Sequence, residues 1–183
     1  MRITGGSLKG RQVRVPPGVI RPAMDKMRES VFAVLGDLTG LSFLDLFSGS
    51  GIIALEAASR GAECVEAVES DPRKRNTLLE NAQLSPQRIN CRFMPVELYI
   101  KRYKKAFDVI FCDPPFPYQF KAELVRAICD SSLVKDNTLI LLHHPQDEDM
   151  TANERLDLWP SLSDEDCRKY GRSVVNFYKI KRK

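Results

Sequence analysis

Four consecutive residues, Asp113-Pro114-Pro115-Phe116, follow the apolar run Phe107-Asp108-Val109-Ile110-Phe111-Cys112. That run reads as a buried strand, so a carboxylate, two rigid imino acids and an aromatic ring fall at its carboxyl end. The Asp113 carboxylate and the Pro114 carbonyl can each accept one hydrogen bond from an NH2 group, and the Phe116 ring can stack on a planar base. The exocyclic amine of a nucleobase is the group such a pocket suits. Its nitrogen is a poor nucleophile because the lone pair is delocalised into the ring. Two acceptors favour a pyramidal nitrogen whose lone pair is aimed outward, and orientation then supplies much of the acceleration. An Asp-Pro turn also ends many strands with no chemistry attached. The position after a buried strand, and a second motif upstream, favour the site.

The second motif is Leu44-Asp45-Leu46-Phe47-Ser48-Gly49-Ser50-Gly51, where a strand turns into a helix. Ligands of α/β sheets bind beyond the carboxyl ends of strands, and Gly49 and Gly51 allow close backbone approach there. Glu69 falls at the end of the next strand, placed to accept both hydroxyls of a ribose. Gly49-Ser50-Gly51-Ile52-Ile53-Ala54 also fits the dinucleotide pattern G-x-G-x-x-A, with Glu69 at the matching distance. Asp45 argues the other way: it would repel a pyrophosphate, whereas S-adenosylmethionine (SAM) carries a sulfonium and an ammonium. The two motifs together suggest a methyl donor beside a base amine.

The elements that must position these residues follow from periodicity. Positions Met24, Met27, Val31, Phe32 and Leu35 predict a helix over 23–38. Strands are expected at Leu41–Phe47, Glu63–Val68, Ile89–Met94, Phe107–Cys112 and Thr138–His143. Helices are expected at Ser50–Arg60, Pro72–Gln83, Val96–Tyr103 and Phe120–Ser131. An antiparallel finish is expected from roughly 154–159 and 173–180. Alternating β and α with near-continuous apolar strands predicts a doubly wound α/β fold with a mostly parallel sheet. Residues 1–22 read as a separate basic hairpin or arm, leaving 23–183 as the main domain.

The chain has 183 residues, 43% hydrophobic and 28% charged, an ordinary globular balance. No apolar stretch approaches the roughly 20 residues that span a bilayer, and the basic N-terminus lacks a signal core, so a cytoplasmic protein is expected. None of Cys64, Cys91, Cys112, Cys129 and Cys167 pair as CxxC, and the only histidines are the adjacent His143 and His144. Reduced thiols and no metal site are expected. The net charge is +4, unevenly spread. Residues 1–30 hold seven basic side chains against Asp25 and Glu29, while 145–166 hold eight acids against Arg155. A basic side and an acidic side suit an oriented encounter with a polyanion.

These residues resemble a known family. The amine motif and the glycine turn are similar to those of class I SAM-dependent amino methyltransferases. Arg2-Ile3-Thr4-Gly5-Gly6, Lys9-Gly10-Arg11, Arg21-Pro22 and Arg28-Glu29 with Phe32 narrow the resemblance to the RsmD family, bacterial enzymes that methylate guanine N2 in 16S ribosomal RNA. The resemblance runs over nearly the whole chain. It implies a seven-stranded methyltransferase sheet with an N-terminal hairpin, SAM as donor, and 16S rRNA in assembling 30S particles as partner; separately, a monomer is expected. It places Asp45, Phe47, Gly49 and Gly51 around the methionine end of SAM, Glu69 at the ribose, and Met94 and Pro95 near the adenine. Asp113, Pro114 and Phe116 would hold guanine. Arg2, Lys9, Arg11, Arg21 and Arg28 become candidates for RNA phosphates, Arg28 alternatively forming a structural ion pair. Two positions depart from the family pattern: Pro95 where an acidic residue is expected, and Leu142-His143-His144 where a Glu-His-like pair is common. The histidines would either lie near the target base or cap the strand. Adenine-N6 methylation of DNA, or RNA binding without catalysis, would use the same motifs.

Overall fold

The computed structural model describes residues 1–15, 22–147 and 161–181. Arg21 lies outside them, as does the predicted strand at 154–159. Among the described residues seven strands take the order Ile89–Phe93, Cys64–Glu69, Ser42–Leu46, Phe107–Cys112, Val134–Pro145, Ser173–Ile180, Leu162–Tyr170, the expected mostly parallel α/β sheet. The chain divides into two compact units, Met1–Pro95 and Val96–Lys183.

The first unit begins with the basic arm. Arg2 and Gln12 form an isolated antiparallel bridge. Ile3 N–H donates to Arg11 O at 3.0 Å and Gly10 N–H to Ile3 O at 2.8 Å. Ile3, Leu8 and Val13 are buried while Arg2, Lys9, Arg11 and Arg14 are exposed. Helix α1 (Pro22–Leu35) follows and buries Met27, Val31 and Phe32. It stops three residues short of the predicted end because Gly36 turns left-handed at φ 69°. Strands β1 (Ser42–Leu46), β2 (Cys64–Glu69) and β3 (Ile89–Phe93) pair in parallel. Helix α2 (Ile52–Ser59) is buried at every position, as its largely apolar sequence requires. A 3-10 turn at Pro72–Lys74, capped by Asp71, leads into α3 (Arg75–Ala82). The predicted single helix at 72–83 is therefore split by its own N-terminal turn.

The second unit holds α4 (Val96–Arg102), β4 (Phe107–Cys112), α5 (Lys121–Cys129), β5 (Val134–Pro145), β6 (Leu162–Tyr170) and β7 (Ser173–Ile180). Strand β5 runs parallel to β4 and antiparallel to β7, which in turn pairs antiparallel with β6. It starts four residues earlier than periodicity suggests. The register with β4 jumps from Phe107↔Val134 to Val109↔Leu139, and Asn137 takes a left-handed φ of 66°. Thr138 Oγ1 fills that irregularity by donating to Phe107 O at 2.6 Å. The antiparallel finish is correct in kind, but the partner of β7 is Leu162–Tyr170. That stretch is polar and mostly exposed, so it carries no apolar period to find.

Candidate active site

In the first unit the site is built on the β1–α2 turn. Asp45, the fourth residue of β1, is 1% exposed. Its Oδ2 accepts from Ser48 Oγ at 2.5 Å and from Ala54 N–H at 3.2 Å, so one carboxylate oxygen braces both sides of the turn. Phe47 leaves the strand with φ 63°, a left-handed conformation that a bulky residue seldom takes. Gly49 and Gly51 continue it at φ 58° and 80°. A Cβ on Gly51 would lie 2.5 Å from Leu78 Cδ1, so any other residue here would displace the Leu78 side chain as well as strain the dihedral. A Cβ on Gly49 would meet only Phe47 O, at 3.9 Å, leaving the space over this peptide open.

Glu69 closes the turn from the end of β2. Its Oε2 accepts from Gly49 N–H and its Oε1 from Asp71 N–H, both at 2.8 Å, and Lys74 Nζ lies 3.5 Å from Oε2. The side chain predicted for a ribose thus also holds the glycine peptide. Oε1, with one donor, retains capacity for a second hydrogen bond. Met94 is half-buried and its N–H donates to Glu69 O at 3.2 Å, while Pro95 is exposed just before α4. Asn81 is a residue that periodicity alone misses. Buried on α3, it donates from Nδ2 to Ser50 O at 2.7 Å and Arg14 O at 2.8 Å, tying the turn to the arm. A single polar residue inside a helix leaves no sequence signal.

Among the predicted RNA contacts, Arg2, Lys9 and Arg11 are exposed on the arm. Arg28 is not: it is 2% exposed. Its Nε lies 3.0 Å from Glu56 Oε1, its Nη1 3.0 Å from Asp25 Oδ1, and its Nη2 donates to Arg2 O at 2.6 Å. A phosphate cannot reach a guanidinium so enclosed, and the structural ion pair is the correct reading of Arg28. Glu56, wholly buried, also accepts from Thr4 N–H at 2.6 Å and pairs with Arg60 at 3.4 Å. A charge inside α2 is the arm's anchor.

In the second unit Asp113 follows directly on β4, with its side chain 22% exposed. Pro114 is buried and Phe116 half-buried. Tyr118 N–H donates to Pro115 O at 2.8 Å, closing a turn. The buried Lys121 at the start of α5 donates from Nζ to Phe116 O at 3.0 Å and also to Tyr118 O. Tyr118 Oη donates to Glu97 Oε1 at 2.7 Å. Burial, and then this hydrogen bond, push the Tyr118 phenol well above its ordinary value, so it remains a donor. The segment after Asp113 is therefore held at both ends. His143 Nδ1 lies 2.7 Å from Asp113 Oδ1, and the Phe116 ring meets the His143 ring edge-on at 5.7 Å. His144 points to the other face of β5, with Nδ1 2.8 Å from Pro145 O and Nε2 2.8 Å from Asn176 Oδ1. The two adjacent histidines thus separate into one on the amine motif and one fixed to the sheet.

Among the described residues no group of three or more His, Cys, Asp or Glu is placed to hold a metal ion. No helix among them is long and apolar enough to cross a membrane.

The chain is similar to known proteins in sequence and in fold. The family described as conserved hypothetical protein 95 matches residues 1–179. The Haemophilus influenzae protein named ribosomal RNA small subunit methyltransferase D is 30% identical over 169 residues, 86% of each chain. Its Escherichia coli K12 namesake is 31% identical over 144 residues, 76% of this chain and 72% of that one. Among solved structures, a putative methyltransferase from Escherichia coli superposes with a TM-score of 0.86 at 24% identity, covering 100% and 99% of the two chains. A hypothetical protein of Thermus thermophilus reaches 0.79 at 29% identity, with the same coverage.

Proposed function

The chain belongs to the conserved hypothetical protein 95 family, together with the small-subunit rRNA methyltransferases D, and from that premise we propose that it methylates the N2 amine of a guanine in 16S rRNA. SAM would supply the methyl group: the amine lone pair forms the N–C bond as the C–S bond breaks onto sulfur. The observation that carries the reading is Asp113, a partly exposed carboxylate at the end of a buried strand, followed by a segment braced by Lys121 and Tyr118.

In this reading Asp113 and the Pro114 carbonyl accept the two amine hydrogens, and Phe116 lies against the base plane. The nitrogen needs no base before attack. After transfer it carries a positive charge and loses one of its own protons, which Asp113 can accept. In the first unit the open space over Gly49 and the Glu69 carboxylate at its N–H fit an adenosyl donor. Asp45 adds a buried negative charge suited to the donor's cationic end, and Phe47 shapes the same turn. Met94 and Pro95 follow β3 as candidates for the adenine edge. Residues 1–22 serve as a basic arm for 16S rRNA in assembling 30S particles, with Arg2, Lys9 and Arg11 on phosphates and Arg21 a further candidate. Guanine N2, rather than another base amine, rests on the family resemblance. A substrate of this kind implies a cytoplasmic protein.

The test is Asp113→Ala, with methyl transfer to 30S particles from cells lacking the gene and SAM binding measured in parallel. Transfer is expected to fall by at least ~100-fold, with SAM affinity kept within about twofold. Undiminished transfer would overturn the assignment of Asp113. Mapping the methylated nucleotide in the same particles tests the guanine N2 reading independently.

A further inference from the structure

We propose that His143 is a positioning residue for methyl transfer, acting through Asp113. The inference rests on the amine-grip reading and deepens it. The β4–β5 register pairs Cys112 with Leu142, so the next positions, Asp113 and His143, continue side by side beyond the ladder. His143 Nδ1 and Asp113 Oδ1 are 2.7 Å apart, and the His143 side chain is 4% exposed. An ionised carboxylate only accepts, so Nδ1 is the nitrogen that donates. The other nitrogen agrees: Nε2 is buried with no hydrogen-bond partner among the described residues. A bare lone pair there is tolerated better than an unmet N–H, so the proton belongs on Nδ1.

The consequence lies in the carboxylate. The terminal torsion of aspartate is broad, and a carboxylate following a strand end is free to rotate. The imidazole removes that freedom by holding Oδ1 from the neighbouring strand, and Phe116 meets the same ring edge-on. Oδ2 is then the oxygen left to take the amine, in a fixed direction. His143 needs no contact with the base to do this, and Phe116 and Asp113 are set by one common neighbour.

Two substitutions separate this role from packing. His143→Leu keeps the bulk and removes the donor. His143→Asn loses bulk but carries an N–H donor at the distance of Nδ1 from the backbone. With SAM and 30S particles from cells lacking the gene, His143→Leu is expected to lower kcat about 10- to 100-fold, with KM for the particle and SAM affinity within about twofold. His143→Asn is expected to recover most of that loss although it melts at a lower temperature than His143→Leu. A His143→Leu enzyme as fast as wild type, or two activities that rank as the melting temperatures do, would overturn the proposal. If neither variant folds, long-range 1H–15N spectra of the wild-type imidazoles decide: a proton on Nδ1 of His143 upholds it, and a proton on Nε2 alone defeats it. Asp113→Ala is the reference. If it retains transfer, the amine grip fails; if it loses transfer while His143→Leu does not, only the role of His143 fails.

Discussion

Gly51 shows what one missing side chain does for the donor turn. Its φ of 80° would cost any other residue strain, and a Cβ would collide with Leu78 Cδ1. Gly51→Ala is expected to destabilise the protein by about 1–3 kcal/mol in urea titrations and to weaken SAM binding, because Leu78 and the turn must both shift. Unchanged stability and affinity would show that the turn adapts. Tyr118 yields a pH prediction. Its phenol is raised in the folded state above an ordinary value of 10.0, first by burial and then by the bond to Glu97. Its contribution is therefore complete below about pH 10 and declines above it, as the unfolded chain ionises first. Tyr118→Phe should flatten the alkaline fall in stability, followed by chemical denaturation from about pH 9 to about pH 11. An identical fall would mean that other groups cause it. At this scale the positions of the glycines, Asp45, Glu69 and Asp113 near the ends of buried strands were legible, because the apolar run before each marks where its strand stops. Asn81, Lys121 and the partner of His143 were not, since a polar residue in a helix or strand does not announce what it will touch.

Helix α2 carries the arm as well as the turn. Glu56 is a buried carboxylate in an otherwise largely apolar helix, held by Arg28, Arg60 and the backbone of Thr4. Arg28→Met leaves that charge short of a close partner and should cost about 3 kcal/mol, with the remaining Arg60 pair keeping the loss toward the low end for a broken buried pair. Denaturant titration measures it, and a loss below about 1 kcal/mol would mean that Arg60 suffices. Proteolysis within residues 1–15 should quicken in the same variant, because the Arg28 bond to Arg2 O goes with it. Element types were readable from apolar period because the parallel strands and α2 are largely buried. The element ends were set by other forces: Gly36 for α1, the Asp71 cap for the turn before α3, and Thr138 at the β4–β5 irregularity. Strand β6 was invisible to that period because it is an exposed edge.

Across the molecule, the +4 charge concentrates at the N-terminus, where Ile3, Leu8 and Val13 face inward and Arg2, Lys9 and Arg11 outward. Reversing Lys9 and Arg11 to Glu should weaken RNA binding and reduce the slope of log K against log salt by about 2, one for each phosphate no longer neutralised. SAM titrations should be unchanged, and an unaltered salt slope would make the arm purely structural. The sequence by itself determined the fold class, the two motifs and the family, because burial period and the order and spacing of short motifs are properties of the chain in order. Only the tertiary structure decided that Arg28 is an internal ion pair, that Glu69 holds Gly49, and that Asp113 is held by His143. Those pairings join residues about 20 to 30 positions apart. They depend on strand register and helix packing, which bring distant side chains within hydrogen-bond reach and leave no local pattern behind.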